Sequence, residues 1–400
     1  MMRARVASLA TPALAVALTG LLAAACTSSG SGGSSAPTTG APTATGGATP
    51  AHVANVTITA ASGCVSDATT FAAGGITFKI QNKDATAVSE VELLSGERIV
   101  GEKENIPPGL GGEFAVTVPA GKYTLYCPGA KVENTTMTVT GTAGHTNSDT
   151  AALLKQATTD YKHYVDTQVG YLVTFTRKLD DALHGTSLAA AQKAYMLARP
   201  YYEKIEPVAE SFTNGKDNLD ADIDARINDV PKGHWTGFHP IEQGLFARKS
   251  LRGLTALGDG LVAKVEELQH KTASLTYQAP DLANGAQELL DEVASSRITG
   301  EEERYSHIDI LDMANNIEGS EQAFADLQPV MSKLDGSLTT QITSAFQSLD
   351  KLVQSYRTTS NPSGYVFYSA LSNTDRHNLS AAVKAVQEPL SQVASKVANA

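Results

Sequence analysis

The hydrophobic periodicity of this chain changes once, near residue 145, and that change constrains the fold more than any other feature. Between residues 53 and 141 apolar and polar side chains alternate in short runs, at 56–59, 76–81, 88–94, 98–102, 113–118, 122–127 and 135–140. Turn formers separate them, among them Ala73-Gly74-Gly75, Ser95-Gly96, Pro107-Pro108-Gly109 and Pro119-Ala120-Gly121. A period of two bounded by Gly and Pro is strand patterning. About seven such strands in succession predict a β-sandwich or Greek-key barrel. After a Gly/Ser/Asn break at 144–148 the period lengthens to that of a helix. Helix-period stretches cover 149–183, 187–212, 240–252, 254–277, 280–296, 301–333, 338–356 and 374–397. Gly, Pro or Asn stands at the breaks, so the second part predicts an all-α bundle. Residues 360–372, with Tyr365-Val366-Phe367-Tyr368, read as a packed connector.

Ahead of both parts the chain carries an address. Arg3 and Arg5 precede an apolar run at 6–25, broken by Pro12 and Gly20, that ends in Leu21-Leu22-Ala23-Ala24-Ala25-Cys26. A charged start, a short apolar stretch and small residues before a cleavage point predict a secretory signal peptide. The interruptions suit a permanent membrane span poorly. Cys26 after small residues resembles a bacterial lipobox, which predicts its lipidation. Ala23 stands where such motifs usually carry Leu, so ordinary signal-peptidase cleavage is the alternative. Residues 27–50 hold Ser, Gly, Thr, Ala and Pro without a charge, the composition of a flexible tether. The expected organisation is therefore signal peptide 1–25, lipidated Cys and tether 26–51, β domain 52–143 and helical domain 148–400. It places the protein outside the cell membrane, held there by lipid, or secreted or periplasmic if Cys26 is not modified.

Charge narrows the partners. Asp and Glu number 42 against 31 Lys and Arg, a net charge of -11. Such a chain is a poor match for nucleic acid or anionic headgroups, and cations remain the attractive class. Three cysteines are too few for a disulfide-built fold.

In the helical part, Glu203 and Glu206 lie three residues apart, so their carboxylates leave one helix face. His239 and Glu242 repeat the spacing, and Pro240 suits a first helical turn. Taken singly, such pairs are usually solvated faces or capped helix starts. The second pair, however, sits within Trp235-Thr236-Gly237-Phe238-His239-Pro240-Ile241-Glu242-Gln243-Gly244-Leu245-Phe246. Apolar neighbours predict partial burial, and a buried charge must be paired or coordinated. Two such pairs on facing helices are how bundles build metal sites. Oxygen-rich donors with one imidazole suit a cation such as iron. Glu301-Glu302-Glu303 opens another stretch. Thr299 and Glu302 have capping-box spacing, which gives Glu302 a structural job. Glu303 and His307, four apart, read equally well as ligands or as a surface pair. Asp220, Asp222 and Asp224 form an acidic loop.

In the β part, Cys64 and Cys127 allow either a disulfide or sulfur ligation of copper. No His lies between His52 and His145, which rules out a blue-copper electron-transfer centre of the two-histidine type. Glu90, Glu102 and Glu104 are candidate oxygen ligands or simply solvated. The chain has no phosphate-binding glycine loop, no Gly-x-Ser-x-Gly elbow and no His-Glu-x-x-His helix.

Several segments together resemble one family. They are Arg199-Pro200-Tyr201-Tyr202-Glu203-Lys204-Ile205-Glu206-Pro207-Val208-Ala209-Glu210, Ile223-Asp224-Ala225-Arg226, the 237–246 segment, Arg304-Tyr305-Ser306-His307-Ile308-Asp309 and Glu388-Pro389-Leu390-Ser391. They are similar to the imelysin-like domain of EfeO-type iron-uptake proteins. The long form of that family carries an N-terminal cupredoxin-like domain. Ser89-Glu90-Val91-Glu92-Leu93, Gly101-Glu102-Lys103-Glu104-Asn105 and Tyr126-Cys127-Pro128-Gly129 resemble it. The resemblance implies a cupredoxin-like β-sandwich followed by an all-α imelysin-like bundle. It implies an extracytoplasmic iron-capture protein that works with an EfeU-type permease and an EfeB-type haem peroxidase. The implied iron site comprises His239, Glu242, Glu203, Glu206 and Asp224, completed by Glu302 or Glu303. The β domain would bind copper or iron through Cys64, Cys127 and Glu90. A metal-dependent peptidase and a copper-assisted ferroxidase are the alternative activities.

Overall fold

The computed structural model describes residues 52–142, 148–214, 217–228, 230, 231 and 233–400. The expected signal peptide, Cys26 and the tether lie outside them.

Nine strands form the first part: β1 (Val53–Thr59), β2 (Gly63–Ser66), β3 (Thr70–Ala72), β4 (Gly74–Asn82), β5 (Val91–Ser95), β6 (Arg98–Lys103), β7 (Gly111–Val118), β8 (Gly121–Tyr126) and β9 (Asn134–Thr140). They make a four-stranded sheet, β2-β1-β4-β7, and a five-stranded one, β3-β9-β8-β5-β6. β1 runs parallel to β4, with Val56 opposite Ile80, and β3 runs parallel to β9. The alternation in β1 turns Ala54, Val56 and Ile58 inward. One core receives Phe78 and Phe114 from the first sheet and Val91, Leu93 and Leu125 from the second. The rings of Phe78 and Phe114 stack with centroids 4.9 Å apart. The two-sheet expectation thus holds. β2 and β3 escape sequence reading because three or four residues are too few to display a period.

The helical part comprises α1 (Ser148–Leu183), α2 (Leu188–Ala198), α3 (Pro200–Glu203), α4 (Leu219–Asp224), α5 (Phe238–Glu242), α6 (Thr255–Ser274), α7 (Ala279–Ser295), α8 (Asp309–Leu334), α9 (Gly336–Gln354), α10 (Asn373–Leu390) and α11 (Val393–Ala398). Long α1, α6, α7, α8, α9 and α10 form the bundle. Three of the predicted stretches are cut. Pro200 lacks the amide that would continue α2, and the chain then tightens into a 3-10 segment at Glu206–Phe212. α5 lasts five residues and widens into a π-helix at Gln243–Ala247. The capping box expected at Thr299 and Glu302 is absent. The Thr299 hydroxyl donates to the Ser296 carbonyl at 2.7 Å, and the helix starts only at Asp309. Residues 301–306 are therefore turns, free to aim carboxylates inward.

Polar pins join the two parts. The buried Lys103 ammonium donates to Glu288 at 2.7 and 2.8 Å and to Asp291 at 3.2 Å. The Asn284 amide brackets the backbone of Ala115, donating to its carbonyl at 2.6 Å and accepting from its N–H at 3.3 Å. Among the described residues, no helix is long and apolar enough to cross a membrane.

Candidate metal centre

His239 enters the bundle through a glycine. Gly237 has φ 85°, and a β-carbon there would lie 2.0 Å from the Ile223 carbonyl oxygen. Only glycine adopts that backbone cheaply and lets the 237–239 segment press on the end of α4. That contact sets His239 beside Asp224, the last residue of α4. The irregular turn at 301–306 brings Glu302 to the other side.

The imidazole is 2% exposed, and its Nε2 makes no hydrogen bond. It lies 3.6 Å from Asp224 Oδ1 and 3.6 Å from Glu302 Oε1. Two donors each ~2.0–2.2 Å from one metal ion stand roughly 2.8–3.6 Å apart at octahedral to tetrahedral angles. The three side chains thus have ligand spacing, and Asp224 Oδ1 accepts from Arg199 as well. The other ring nitrogen, Nδ1, lies 3.4 Å from Glu242 Oε2. Glu242 Oε1 accepts the backbone N–H groups of Tyr305 at 2.6 Å and Ser306 at 2.7 Å. Glu242 therefore orients the ring and ties α5 to the turn carrying Glu302, an arrangement that metal-binding histidines commonly use. A cavity of about 290 Å³, with Trp235, Tyr305 and Arg226 among its walls, opens onto His239, Glu242 and Glu302.

Two buried arginines organise the remaining carboxylates. Arg199, with no exposed surface, pairs with Glu203 and Asp224, reaches Glu303 through Nε at 3.0 Å and meets Asp312 at 3.1 Å. Arg297 pairs with Glu206 and reaches Glu203 at 3.1 Å and Glu292 at 3.3 Å. Asn316 donates to both Glu203 and Glu206 at 2.8 Å. Glu303 also accepts the Tyr195 hydroxyl at 2.8 Å and that of Ser306. Arg226 joins Glu302 at 3.1 Å. So the structure gathers the helical-domain candidates into one network, in two layers. His239, Asp224 and Glu302 converge on a point, with Arg199 on Asp224 and Arg226 on Glu302, while Glu203, Glu206 and Glu303 answer Arg199 and Arg297. The structural role expected for Glu302 gives way to this placement.

Electrostatics sharpen the division. Burial works against a charged His239, yet its contacts with Glu242 and Glu302 and the charge of Asp224 push its pKa up to about 10. Burial opposes ionisation of Glu302, but Arg297, His239 and Arg226 outweigh it and hold the carboxyl well below its usual range. Burial lifts Asp224 to about 7 against the pull of Arg199 and His239. Glu303 is raised well above the ordinary carboxyl range by burial and then by Glu242 and Asp312. A cation binding at Nε2 would have to displace the proton that these carboxylates hold on the imidazole.

Sequence reading missed Arg199, Arg297, Asn316 and Asp312. Arg199 and Glu203 are four apart, a spacing that was visible as an opposite-charge pair. Nothing local marks Arg297, which reaches Glu203 across 94 positions. Asp220, Asp222 and Asp224, expected in a loop, lie in the short helix α4, where Asp220 accepts the Tyr202 hydroxyl.

In the β domain Cys64 and Cys127 form a disulfide. Bonded to each other, the sulfurs are not thiolate ligands, which corrects the expectation of copper or iron held by the pair. Glu90 lines a cleft of about 490 Å³ between the two domains, together with Glu92, Glu102, Glu104, Glu210 and Asp220. Burial and mutual repulsion raise Glu92 to about 7. Burial, with Glu292 and Glu288 nearby, raises Glu104 to about 8.

The imelysin family profile (Peptidase_M75) matches residues 157–393, the span that contains the centre. The chain is 35% identical over 329 residues to the iron uptake system component EfeO of Escherichia coli O157:H7, covering 80% of this chain and 85% of that protein. It is 34% identical over the same shares to the EfeO proteins of Escherichia coli K12 and Shigella flexneri. The chain belongs to the imelysin family and is of the EfeO type.

Proposed function

We propose that this protein is the extracytoplasmic metal-binding component of an iron-uptake system, capturing iron and passing it to a membrane permease. The observation that carries the reading is the buried, unbonded Nε2 of His239 facing one oxygen each of Asp224 and Glu302. Those three side chains are the inner ligands. Glu242 fixes the ring, and Glu203, Glu206 and Glu303 with their arginines set the charge around them. The EfeO relatives supply iron as the cargo. In the same reading, copper or iron bound by the β domain sits among the carboxylates around Glu90. An EfeU-type permease and an EfeB-type haem peroxidase are the partners. Lipid on Cys26 holds the protein at the outer face of the membrane, with the uncharged 27–50 segment as its leash.

The test is metal titration of the anaerobically purified mature chain with ferrous, ferric, cupric and zinc ions. Near-stoichiometric iron, lost in His239→Ala with Glu242→Ala, is the expected result. Unchanged iron affinity in that folded double variant would remove the assignment. Firm zinc without iron, together with zinc-dependent cleavage of peptides, would replace it with the peptidase reading.

A further inference from the structure

A second His–carboxylate group lies at the C-terminal end of α1, among residues that neither the central network nor the interdomain cleft uses. His184 follows the last residue of α1. Its Nε2 lies 3.1 Å from Asp259 Oδ1, on α6, and 3.6 Å from Asp180 Oδ1, one turn back on α1. These spacings fall within the ~2.8–3.6 Å that separates two donors bound to one metal ion at ~2.0–2.2 Å. The Asp180 Oδ1 atom is itself buried and makes no hydrogen bond. Gly258 explains the closeness of the helices, since a β-carbon there would meet that oxygen at 2.4 Å. The charges that act most strongly on the imidazole are negative, from Asp259, Asp180 and Asp181. The carbonyl end of α1 adds partial negative charge in the same direction.

We infer that Asp180, His184 and Asp259 form a second metal site, which binds a divalent transition ion and clasps the end of α1 to the start of α6. One imidazole and two carboxylates suit ferrous, zinc or cobalt ions, and the half-exposed His184 leaves coordination positions open to water. Asp180 and Asp259 each offer one oxygen and His184 its Nε2, so the site is incomplete without either helix. It stands independently of the iron reading of the central site.

The test is calorimetric titration of the full chain with zinc chloride alone, in wild type, His184→Gln, Asp259→Asn, His239→Ala and the 184/239 double variant. His184→Gln is expected to remove one equivalent, or to weaken it at least tenfold, while leaving the His239-dependent equivalent intact. Asp259→Asn should weaken the same equivalent without unfolding, because both side chains are exposed. Loss of all binding in the double variant completes the pattern. Zinc stoichiometry and affinity unchanged in both His184→Gln and Asp259→Asn would overturn the site and leave only a histidine–aspartate ion pair. Loss at His184 with none at His239 would keep this site and remove the central one.

Discussion

The carboxylate of Glu242 meets Nδ1 of His239 at 3.4 Å with one oxygen, and with the other it holds the amides of Tyr305 and Ser306. The two residues are three apart in sequence, yet they do different work. The histidine presents Nε2 to Asp224 and Glu302. The glutamate decides which way that nitrogen faces and anchors the turn that delivers Glu302. The spacing of an i,i+3 pair suggested two parallel ligands; in the reading proposed above one of them is the support of the other.

That division predicts unequal variants. His239→Ala removes an inner donor and should abolish tight metal binding while the fold survives. Glu242→Gln keeps the shape of the side chain but weakens the hold on the ring. Loss of a partner that orients a ligand commonly costs about 10–100-fold in affinity, and that is the range expected here. Glu242→Ala should also lower stability, because the two amides lose their acceptor, and a buried donor left unsatisfied costs about 1–3 kcal/mol. Metal titration beside urea unfolding separates the two effects. Equal losses of affinity in His239→Ala and Glu242→Gln would show that Glu242 is itself a ligand.

Arg199 is the counter-charge on which the cluster depends. With no solvent exposure it answers Glu203, Asp224, Glu303 and Asp312. Removing one partner of a buried ion network is destabilising by about 3–5 kcal/mol, because the charges left behind stay buried. Arg199→Met should therefore fall in that range by denaturant unfolding. Arg199→Lys should rescue it only in part, since an ammonium cannot reproduce the forked contacts. Stability within 1 kcal/mol of wild type, an interval set by the ~0–1 kcal/mol of exposed pairs, would place the network at the surface in solution.

How much of this was legible in the sequence depends on range. The change from strand to helix period predicted two sheets followed by a bundle, because patterning of that length survives any local irregularity. His239 was visible through its apolar neighbours. Thr299 and Glu302 misled, because a capping-box spacing is a purely local signal and packing overrode it to turn Glu302 toward His239. Arg297 could not be found, since a lone arginine between Ser296 and Ile298 looks like any surface residue. Its partners arrive from α3, the 3-10 segment and α8 only when the bundle closes. Cys64 and Cys127 were undecided for the same reason, their separation of 63 positions saying nothing about contact.

Gly237 gives a backbone prediction. Alanine there must hold φ near 85° and displace the Ile223 carbonyl, which would otherwise lie 2.0 Å from the new carbon. Holding a non-glycine residue in such a conformation costs about 1–3 kcal/mol. The structure can relieve the contact only by moving the 237–239 segment away from α4. Gly237→Ala should lose metal affinity out of proportion to its loss of stability, because that movement separates His239 from Asp224. Parallel titration and thermal unfolding check this, and full affinity in a destabilised variant would show that the two are not coupled.

The interdomain cleft predicts an unusual pH dependence. Burial first, and then neighbouring carboxylates, raise Glu92 to about 7 and Glu104 to about 8, against an ordinary value of 4.5. An acid whose pKa is raised by folding binds its proton more tightly in the native state than in the unfolded one. Stability then falls as pH rises, starting near the unfolded value and ending once the folded group has ionised. The metal-free protein should accordingly unfold at a higher temperature at pH 5 than at pH 8, with most of the decline between those values. Lys103, bound by Glu288 and Asp291, lowers Glu104 by less than burial and the neighbouring carboxylates raise it, so the effect remains. Glu104→Gln removes one of the titrating groups and should flatten the profile. A melting temperature that rises across the same interval in wild type would mean that the cleft carboxylates are solvated and ionise normally.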